Sequence, residues 1–389
     1  MKNLKRVASR IKKAIKNKEN IVLYGDGDLD GISSVIILKE TISNLRGNVV
    51  GFYFSSRENE GYGITEKGLN DLKNLAPALL IVLDCGISNF KEVDLAKKIG
   101  FEVIIIDHHE VLEKMPSASI ILDPKQKDDK YSFKWLANAG IVLKLSQEIL
   151  KDKMTPTLRK NFFELAALAT LADLMPQEGE NQDIIEEGLA DLKNSWRPGI
   201  AIFWQIESIK NSSSFKESCQ KIVSILNTIE MKGNLPVTYL LLTANDFSQA
   251  KELAHELLIK KEERQREIKE ITEKLKEKIS QKTNDLIIFE GDSTWSLFAL
   301  GSVASRICSL YQKPVFLYSK KEKVSRGTVR TPSGINGVDL MKKCSKCLVT
   351  FGGHFQAAGF TVKNEKLEKF RECLIKNFKK IYEKSNNLY

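Results

Sequence analysis

The sequence predicts an α/β protein with two α/β domains joined by a long helix, and with a doubly wound parallel sheet in the first domain. Short apolar strands alternate with helical patterns between residues 21 and 123, which is typical of a parallel sheet covered by helices. Residues 246–284 contain no Gly or Pro and are dense in charged residues, with apolar residues at helical spacing. A second alternation of strands and helices follows. We therefore predict domains at 1–245, whose C-terminal part is helical, and at 285–389, with the connecting helix at 246–284.

Each element is predicted from the spacing of its apolar residues. The first strand begins at Ile21 and its pattern breaks at Gly25, and the next helix is predicted from Ile32 to about Leu45. Further strands are predicted at 49–54, 78–83, 101–106, 120–123, 285–290, 314–319 and 325–330, and further helices at 137–150, 158–174 and 338–348.

The composition favours an anionic partner. The chain has 60 basic and 50 acidic residues, which gives a net charge of +10 and suits nucleic acid without establishing it. Six cysteines occur in a chain without an apolar leader or a stretch of eighteen apolar residues. We therefore expect free thiols and a cytoplasmic protein, rather than a secreted or membrane one.

Three aspartates, Asp26, Asp28 and Asp30, alternate with other residues directly after the first apolar strand. Ligands of open α/β sheets bind at the carboxyl ends of the strands. In an extended segment alternate side chains share a face, so the three carboxylates could converge on one point. A cation would relieve their repulsion, so the pattern predicts a metal site. The alternative interpretation is an acidic surface turn.

More acids and histidines are predicted at the same edge of the sheet. Asp84 follows the strand 78–83, His108 and His109 follow the strand 101–106, and Asp173 lies near the end of a helix. Carboxylates with one or two imidazoles suit Mn²⁺ or Mg²⁺ better than a structural zinc ion, and so many acids favour two ions. Two ions could clamp a phosphoryl group and activate water, so the predicted reaction is phosphodiester hydrolysis.

The second predicted domain offers groups that suit phosphate. Gly352 and Gly353 would let the backbone approach a ligand closely, and His354 adds an imidazole. Arg326 and Arg330 add planar guanidinium groups.

Taken together, these residues form an ordered set of motifs that resembles the DHH phosphoesterases. The motifs are D-G-D-L-D-G at 26–31, V-L-D-C-G at 82–86, I-D-H-H at 106–109 and L-A-D-L-M-P at 171–176. Within that superfamily the chain is similar to the RecJ-type single-strand exonucleases. The added motifs are R-E-N-E-G-Y-G at 57–63, L-A-N-A-G at 136–140, E-R-Q at 263–265, R-G-T-V-R at 326–330 and G-G-H-F-Q-A-A-G-F at 352–360.

The resemblance implies a DHH catalytic domain and a smaller DHH-associated domain, with the active site in the cleft. It implies that Asp84 bridges two metal ions, and that His109 touches the scissile phosphate or orients a ligand. The other implied metal ligands are Asp28, Asp30, His108 and Asp173, with Asp26 at or beside them. The implied catalytic residues are Asp30, Asp84, His108 and His109. A pocket for a 5′-phosphate is implied at Arg57, Arg264, Thr328 and Arg330, and further substrate contacts at Tyr62, Gly352, Gly353 and His354.

The chain departs from the bacterial pattern in two places. Thr328 replaces the serine that is usual in the G-S-x-R motif, which keeps a hydroxyl. The chain also ends soon after the G-G-H motif, without the OB-fold that grips single-stranded DNA in full-length bacterial relatives. It therefore resembles a short form, for which DNA or RNA as substrate and 5′→3′ polarity both stay open.

The resemblance thus implies an exonuclease that releases 5′-mononucleotides from single-stranded DNA or RNA, in DNA repair, recombination or replication. The implied partners also include a replisome component such as GINS, the implied state is a monomer or small homo-oligomer, and no membrane is involved. One alternative is a phosphodiesterase for short oligonucleotides or cyclic dinucleotides, whose first motif usually has a histidine where this chain has Tyr24. Another is a replisome scaffold, but such relatives have lost metal ligands that this chain retains.

Overall fold

The computed structural model describes residues 1–55, 60–111, 114–281, 285–353 and 355–386. The chain divides into two compact units, Met1–Lys260 and Lys261–Tyr389. No helix among the described residues combines the length and the apolar character needed to cross a bilayer.

The first unit is built on a five-stranded parallel sheet. Its elements up to the last strand of that sheet are α1 (Leu4–Lys16), β1 (Ile21–Gly25), α2 (Leu29–Asn44), β2 (Val49–Phe54), α3 (Glu66–Leu72), β3 (Ala78–Leu83), α4 (Phe90–Ile99), β4 (Phe101–Ile106) and β5 (Ile120–Leu122). The strands lie in the order β2-β1-β3-β4-β5 and all pair in parallel. Alternate residues of β1 belong to different cores, with Leu23 in one and Tyr24 in the other. Both faces are therefore covered, which confirms the predicted doubly wound sheet.

A helical region completes the first unit and packs on one face of the sheet. It contains α5 (Asn138–Leu150), α6 (Pro156–Ala172), α7 (Gly179–Leu189), α8 (Pro198–Ala201), α9 (Glu207–Lys210), α10 (Phe215–Leu226), β6 (Met231–Lys232), β7 (Leu235–Pro236) and α11 (Val237–Leu242).

The helix α12 (Phe247–Ser280) is continuous, and the division between the units falls inside it. Leu253 and Leu257 are buried in the core of the first unit, whereas Ile271 and Leu275 are buried in the second. The long helix was expected from its composition. The boundaries that we drew around it at 246 and 284 stay a prediction.

The second unit is a smaller mixed sheet with helices. Its elements are β8 (Ile288–Asp292), α13 (Leu297–Tyr311), β9 (Val315–Lys320), β10 (Val324–Arg330), α14 (Gly337–Lys343), β11 (Leu348–Gly353), β12 (Ala357–Lys363) and α15 (Leu367–Asn386). The order is β11-β12-β10-β9-β8, in which only β8 and β9 pair in parallel. The second α/β domain is thereby confirmed.

The expectation of free thiols was wrong for one pair of cysteines. Cys344 follows α14 and Cys373 lies on α15, and these two helices pack against each other. Their Cα atoms are 5.9 Å apart and the two sulfurs form a disulfide. The spacing of cysteines in the sequence does not reveal this pair, because 29 residues separate them.

Candidate active site

The candidate site lies at the carboxyl edge of the parallel sheet. Asp26 follows β1, Asp84 follows β3 and Asp107 follows β4, and these three strands are neighbours. The side chains that follow them are therefore delivered to one place, which is where open α/β sheets bind ligands.

The first motif does not form the extended segment that the alternation of aspartates suggested. The helix α2 begins at Leu29, so Asp28 is its N-cap and Asp30 lies in its first turn. The Asp28 carboxylate accepts a hydrogen bond from the Gly31 backbone N–H at 3.1 Å, which is a typical N-cap contact. A Cβ atom at Gly31 would lie 2.5 Å from the carbonyl oxygen of Asp26, so only glycine permits this tight turn. The aspartates converge because of a strand–turn–helix rather than a shared face of a strand.

Asp84 has an unusual backbone and a buried side chain. Its φ is 62°, in the left-handed region that non-glycine residues rarely adopt. Its Oδ1 atom is buried and makes no hydrogen bond to the described residues, although His108 Nε2 lies 3.2 Å away. A buried carboxylate oxygen without a hydrogen bond fits a metal ligand, because a cation would supply the missing interaction.

The ring of His108 is oriented by its other nitrogen. Nδ1 lies 3.1 Å from the carbonyl oxygen of Leu136, which leaves Nε2 facing the carboxylates. Nε2 is 3.2 Å from Asp84, 3.6 Å from Asp173 and 3.8 Å from Asp30. Burial and the positive charge of His109 lower the pKa of His108 to about 3, so the imidazole is neutral at pH 7, as a metal ligand must be.

Three overlapping groups of side chains could each hold a cation, because their ligand atoms lie within 4.8 Å of one another. Asp84 and His108 each belong to two groups, and Asp84, with two carboxylate oxygens, is the one of the two that neighbouring ions could share. Burial, followed by repulsion from nearby carboxylates, raises the pKa values of both Asp30 and Asp84. A divalent cation would reverse this unfavourable arrangement, so the donor set fits one. The groups are Asp26, Asp28 and Asp84; Asp30, His108 and Asp173; and Asp84, His108 and His109.

Asp107 was not among the predicted site residues, yet it organises the turn that carries the two histidines. Its buried carboxylate accepts hydrogen bonds from the backbone N–H groups of Ile87 at 3.0 Å, His108 at 2.8 Å and His109 at 3.3 Å. It also lies 2.8 Å from His109 Nδ1. Burial disfavours the charged form of His109, but Asp107 outweighs this effect and raises the pKa of His109 to about 9. His109 is therefore an imidazolium at pH 7.

Replacing Asp107 with alanine should destabilise the protein. Three backbone N–H groups would lose their acceptor, so we expect the free energy of unfolding to fall by about 2–4 kcal/mol. Urea unfolding would measure the loss, and Asp107→Asn should lose less because it keeps an acceptor oxygen. The exposed Asp94 provides the control, as Asp94→Ala should unfold like the unaltered chain. Equal stability of Asp107→Ala and Asp94→Ala would contradict this role.

Asn138, at the start of α5, was also missed as a site residue. Its backbone N–H and that of Ala139 both donate to the Asp30 carboxylate at 2.7 Å. With its amide oriented to satisfy its neighbours, its oxygen accepts from the Asp84 N–H at 2.9 Å, and its nitrogen donates to the Ile106 carbonyl at 3.0 Å. Asn138 thus ties together the ends of β3 and β4 and the first turn of α2. The sequence separation of 108 residues from Asp30 hid this contact from sequence reasoning.

Tyr62, predicted to bind substrate, lies beside the same cluster. Its hydroxyl donates to the carbonyl oxygen of Asp84 at 3.1 Å and is 3.1 Å from His109 Nδ1. Arg57, on the same predicted loop, lies outside the described residues.

The predicted phosphate-binding residues of the second unit are partly brought together. Thr328 on β10 and Gly352 on β11 both pair with Gly359 of the strand between them, and Gly353 is the next residue of β11. Arg330 donates to Thr328 Oγ1 at 2.9 Å, and its described hydrogen bonds all go to neutral acceptors. Its charge is therefore available to an anion.

Arg264 and the segment 352–354 complete the predicted phosphate-binding set. Arg264, on α12, has its guanidinium 4.7 Å from the ring centroid of Phe298. The expected Gly352-Gly353-His354 turn was wrong for the two glycines, which end the strand β11. His354 lies outside the described residues.

Comparison with known proteins agrees with this arrangement. The model described as "DHH family, N-terminal domain" matches residues 20–170, and the DHHA1 domain model matches residues 284–380. The single-stranded-DNA-specific exonuclease RecJ of Bacillus subtilis is 32% identical over 379 residues, which cover 96% of this chain. Those residues cover 47% of the relative, so the chain spans about half of its length.

Solved structures show the same fold. A crystal structure of exonuclease RecJ bound to manganese superposes with a TM-score of 0.81 at 26% identity, covering 97% of this chain and 94% of that one. RecJ from Thermus thermophilus in complex with Mn²⁺ superposes with a TM-score of 0.82 at 25% identity, covering 97% of this chain and 55% of that one. The chain therefore belongs to the DHH family, and its DHH and DHHA1 domains group it with the RecJ-type members.

Proposed function

We propose that the chain is a metal-dependent exonuclease that hydrolyses phosphodiester bonds of single-stranded DNA and releases 5′-mononucleotides. The observation that supports this proposal most is the set of overlapping cation-binding groups that share Asp84 and His108 at the sheet edge. The similarity to proteins named single-stranded-DNA-specific exonucleases indicates the substrate class.

The proposed roles of the residues follow from their positions. Asp26 and Asp28 would hold one Mn²⁺ or Mg²⁺ ion, and Asp30, His108 and Asp173 a second, with Asp84 between them. Bound divalent ions polarise the phosphodiester and lower the pKa of a bound water.

His109 would assist as a cation rather than as a base. Asp107 keeps its imidazole protonated at neutral pH, so an N–H group beside the metal-binding residues can donate to a phosphate oxygen. Tyr62, 3.1 Å from the same ring, would fix its orientation.

The second unit would supply phosphate contacts, because Arg330 makes its described hydrogen bonds to neutral acceptors. We propose that Arg57, Arg264, Thr328 and Arg330 bind the 5′-phosphate, and that Tyr62, Gly352, Gly353 and His354 contact the nucleotide.

Tyr24 argues against the short-oligonucleotide and cyclic-dinucleotide alternatives. Those relatives usually have a histidine at this position, but Tyr24 is fully buried and its hydroxyl accepts from the Thr65 N–H at 3.1 Å. Tyr24 packs with Val22 and Leu80 in the core on one face of the sheet, rather than with the metal-binding residues.

The decisive experiment is a time course with Mn²⁺ on single-stranded DNA and RNA labelled at either end, with and without a 5′-phosphate. We expect immediate release of a labelled mononucleotide from the 5′ end of DNA, and faster release when the end is phosphorylated. If the labelled mononucleotide is released first from the 3′ end, the enzyme has the opposite, 3′→5′ polarity. Degradation of di- to tetranucleotides alone, or no cleavage at all, would refute the exonuclease proposal.

We place the protein in the cytoplasm, in DNA repair, recombination or replication, as a monomer or small homo-oligomer. RNA is a second potential substrate, and a replisome component such as GINS is a potential partner that co-purification would test.

A further inference from the structure

An exposed tryptophan at the rim of the candidate site has no role in the proposed mechanism. Trp135 is 49% exposed and directly precedes Leu136, whose carbonyl oxygen orients His108. The L-A-N-A-G segment that follows contains Asn138, which contacts Asp30 and Asp84. The backbone of Trp135 is therefore only a few residues from groups that hold three of the candidate ligands.

A side chain of α7 also fixes the backbone of Trp135. The buried side chain of Asn181, on α7, donates to the carbonyl oxygen of Trp135 at 2.7 Å and to that of Pro176 at 3.0 Å. Pro176 ends the segment that begins with Asp173. Trp135 is thus held between the elements that carry His108 and Asp173, so little backbone freedom would be lost if its ring bound a ligand.

A cation lies against the indole. Lys125 Nζ is 5.3 Å from the centroid of the Trp135 ring and 3.1 Å from Glu110 Oε1, and Glu110 directly follows His109. The Lys125 side chain is only 12% exposed, so the ring and Glu110 hold it in place. Lys125 therefore braces the indole from one side, and the exposed part of the ring offers an aromatic surface of the kind on which bases of single-stranded nucleic acid stack.

The neighbouring element also presents an apolar side chain. Leu174 directly follows Asp173, is 87% exposed, and has a φ of 54°. An apolar rim beside carboxylates that would hold phosphate-binding metal ions matches the two chemical parts of a nucleotide, because the base is apolar on its faces and the phosphate is charged.

We propose that Trp135 stacks on a nucleobase of the single-stranded substrate next to the scissile phosphate. This inference rests on the proposed function, since it assigns a binding subsite of the same reaction. Stacking on an aromatic side chain does not depend on the identity of the base, which suits an exonuclease that must accept every nucleotide in turn.

Binding can be measured without hydrolysis. The affinity of a fluorescent, 5′-phosphorylated DNA oligonucleotide would be followed by anisotropy in EDTA for the unaltered chain, Trp135→Ala and Trp135→Phe. We expect Trp135→Ala to weaken binding by roughly 5- to 150-fold, the range of one base–aromatic stack. Trp135→Phe should retain most of the affinity because it keeps a ring. Trp196 is the matched control, as it is 57% exposed with Arg197 5.0 Å from its ring, and Trp196→Ala should bind like the unaltered chain.

Oligonucleotides with one abasic nucleotide at successive positions from the 5′ end separate stacking from a structural role. The unaltered chain should lose affinity when the stacked base is missing, whereas Trp135→Ala should be indifferent to that position. Unchanged affinity of Trp135→Ala, or equal sensitivity of both chains to the abasic nucleotide, would overturn the proposal. If the unaltered chain cuts no single-stranded DNA in Mn²⁺, the proposed function itself fails, which is a different result.

Discussion

Asp84→Ala should abolish Mn²⁺-dependent hydrolysis of single-stranded DNA while the protein stays folded. Asp84 groups with Asp26 and Asp28, which would hold one ion, and lies 3.2 Å from His108 Nε2, which would hold the other, so its loss would disturb both proposed ion positions. Losing several kcal/mol of transition-state stabilisation by metal ions corresponds to a decrease in rate of about a thousandfold or more. The measurement is the initial rate of mononucleotide release, with Asp94→Ala as a surface control. Substantial Mn²⁺-dependent activity in Asp84→Ala would contradict the assigned site.

The stability of the Asp84 variants tests the same site without any turnover. Neighbouring carboxylates repel Asp84 in the absence of metal, so a neutral side chain removes that cost. Alanine is less suited than asparagine to the φ of 62°, so Asp84→Asn isolates the charge more cleanly. We expect the Tm of metal-free Asp84→Asn to equal or exceed that of the unaltered chain, and Mn²⁺ to raise it far less. A clearly lower metal-free Tm for Asp84→Asn would show that the crowding is not costly.

The sequence located the site because parallel sheets deliver strand ends to one edge. Asp84 and His108 follow strands that the apolar pattern defines, and their meeting with Asp26 needs only the strand order β1-β3-β4. The reason given for the first motif was nevertheless wrong, since Asp30 lies in a helix. Asp28 is an N-cap type of residue directly before the apolar Leu29, and this helix-start signal would have corrected it.

The residues that position the candidate metal ligands could not be found from the apolar pattern of the strands. Asn138 contacts Asp30 across 108 residues, and nothing local in L-A-N-A-G specifies which buried amide would fill that place. Asp107 directly precedes the two histidines in the sequence. Its role nevertheless depends on a turn in which its carboxylate accepts hydrogen bonds from the backbone N–H groups of Ile87 and His109. Trp135, proposed to bind the substrate, belongs to no periodic pattern, and its exposure and its place directly before Leu136, whose carbonyl oxygen orients His108, distinguish it. Tertiary contacts, rather than propensities, decide such positions.

The stability of the protein should depend on pH in a way that Mn²⁺ opposes. In the metal-free protein, Asp30 and Asp84 have raised pKa values, and the pKa of His109 is raised to about 9. Groups of this kind bind more protons in the folded than in the unfolded chain, so their stabilisation is lost as pH rises. His108 acts in the opposite sense, but only between its folded pKa of about 3 and its ordinary value near 6.5.

Above pH 6.5, therefore, Asp30, Asp84 and His109 can only lower the stability of the metal-free protein as the pH rises. We expect the Tm of the protein in EDTA to fall between pH 6.5 and 8.5, with His109 contributing a loss of about 2–3 kcal/mol over the full range up to its folded pKa. His109→Gln should have a flatter profile. A metal-free Tm that rises with pH across this window would contradict the raised pKa of His109.

Saturating Mn²⁺ should oppose this trend, because metal ions compete with protons for the same carboxylates. Stabilisation by a ligand at 100 times its Kd is about 2.7 kcal/mol, and the effective Kd should decrease as Asp30 and Asp84 become easier to deprotonate at higher pH. The increase in Tm on adding Mn²⁺ should therefore be larger at pH 7.5 than at pH 6. In Asp84→Asn this pH-dependent difference should be smaller, since one of the two competing protons is gone and that of Asp30 remains. A metal-induced increase in Tm that is the same at both pH values would mean that Mn²⁺ binds elsewhere than at these two carboxylates.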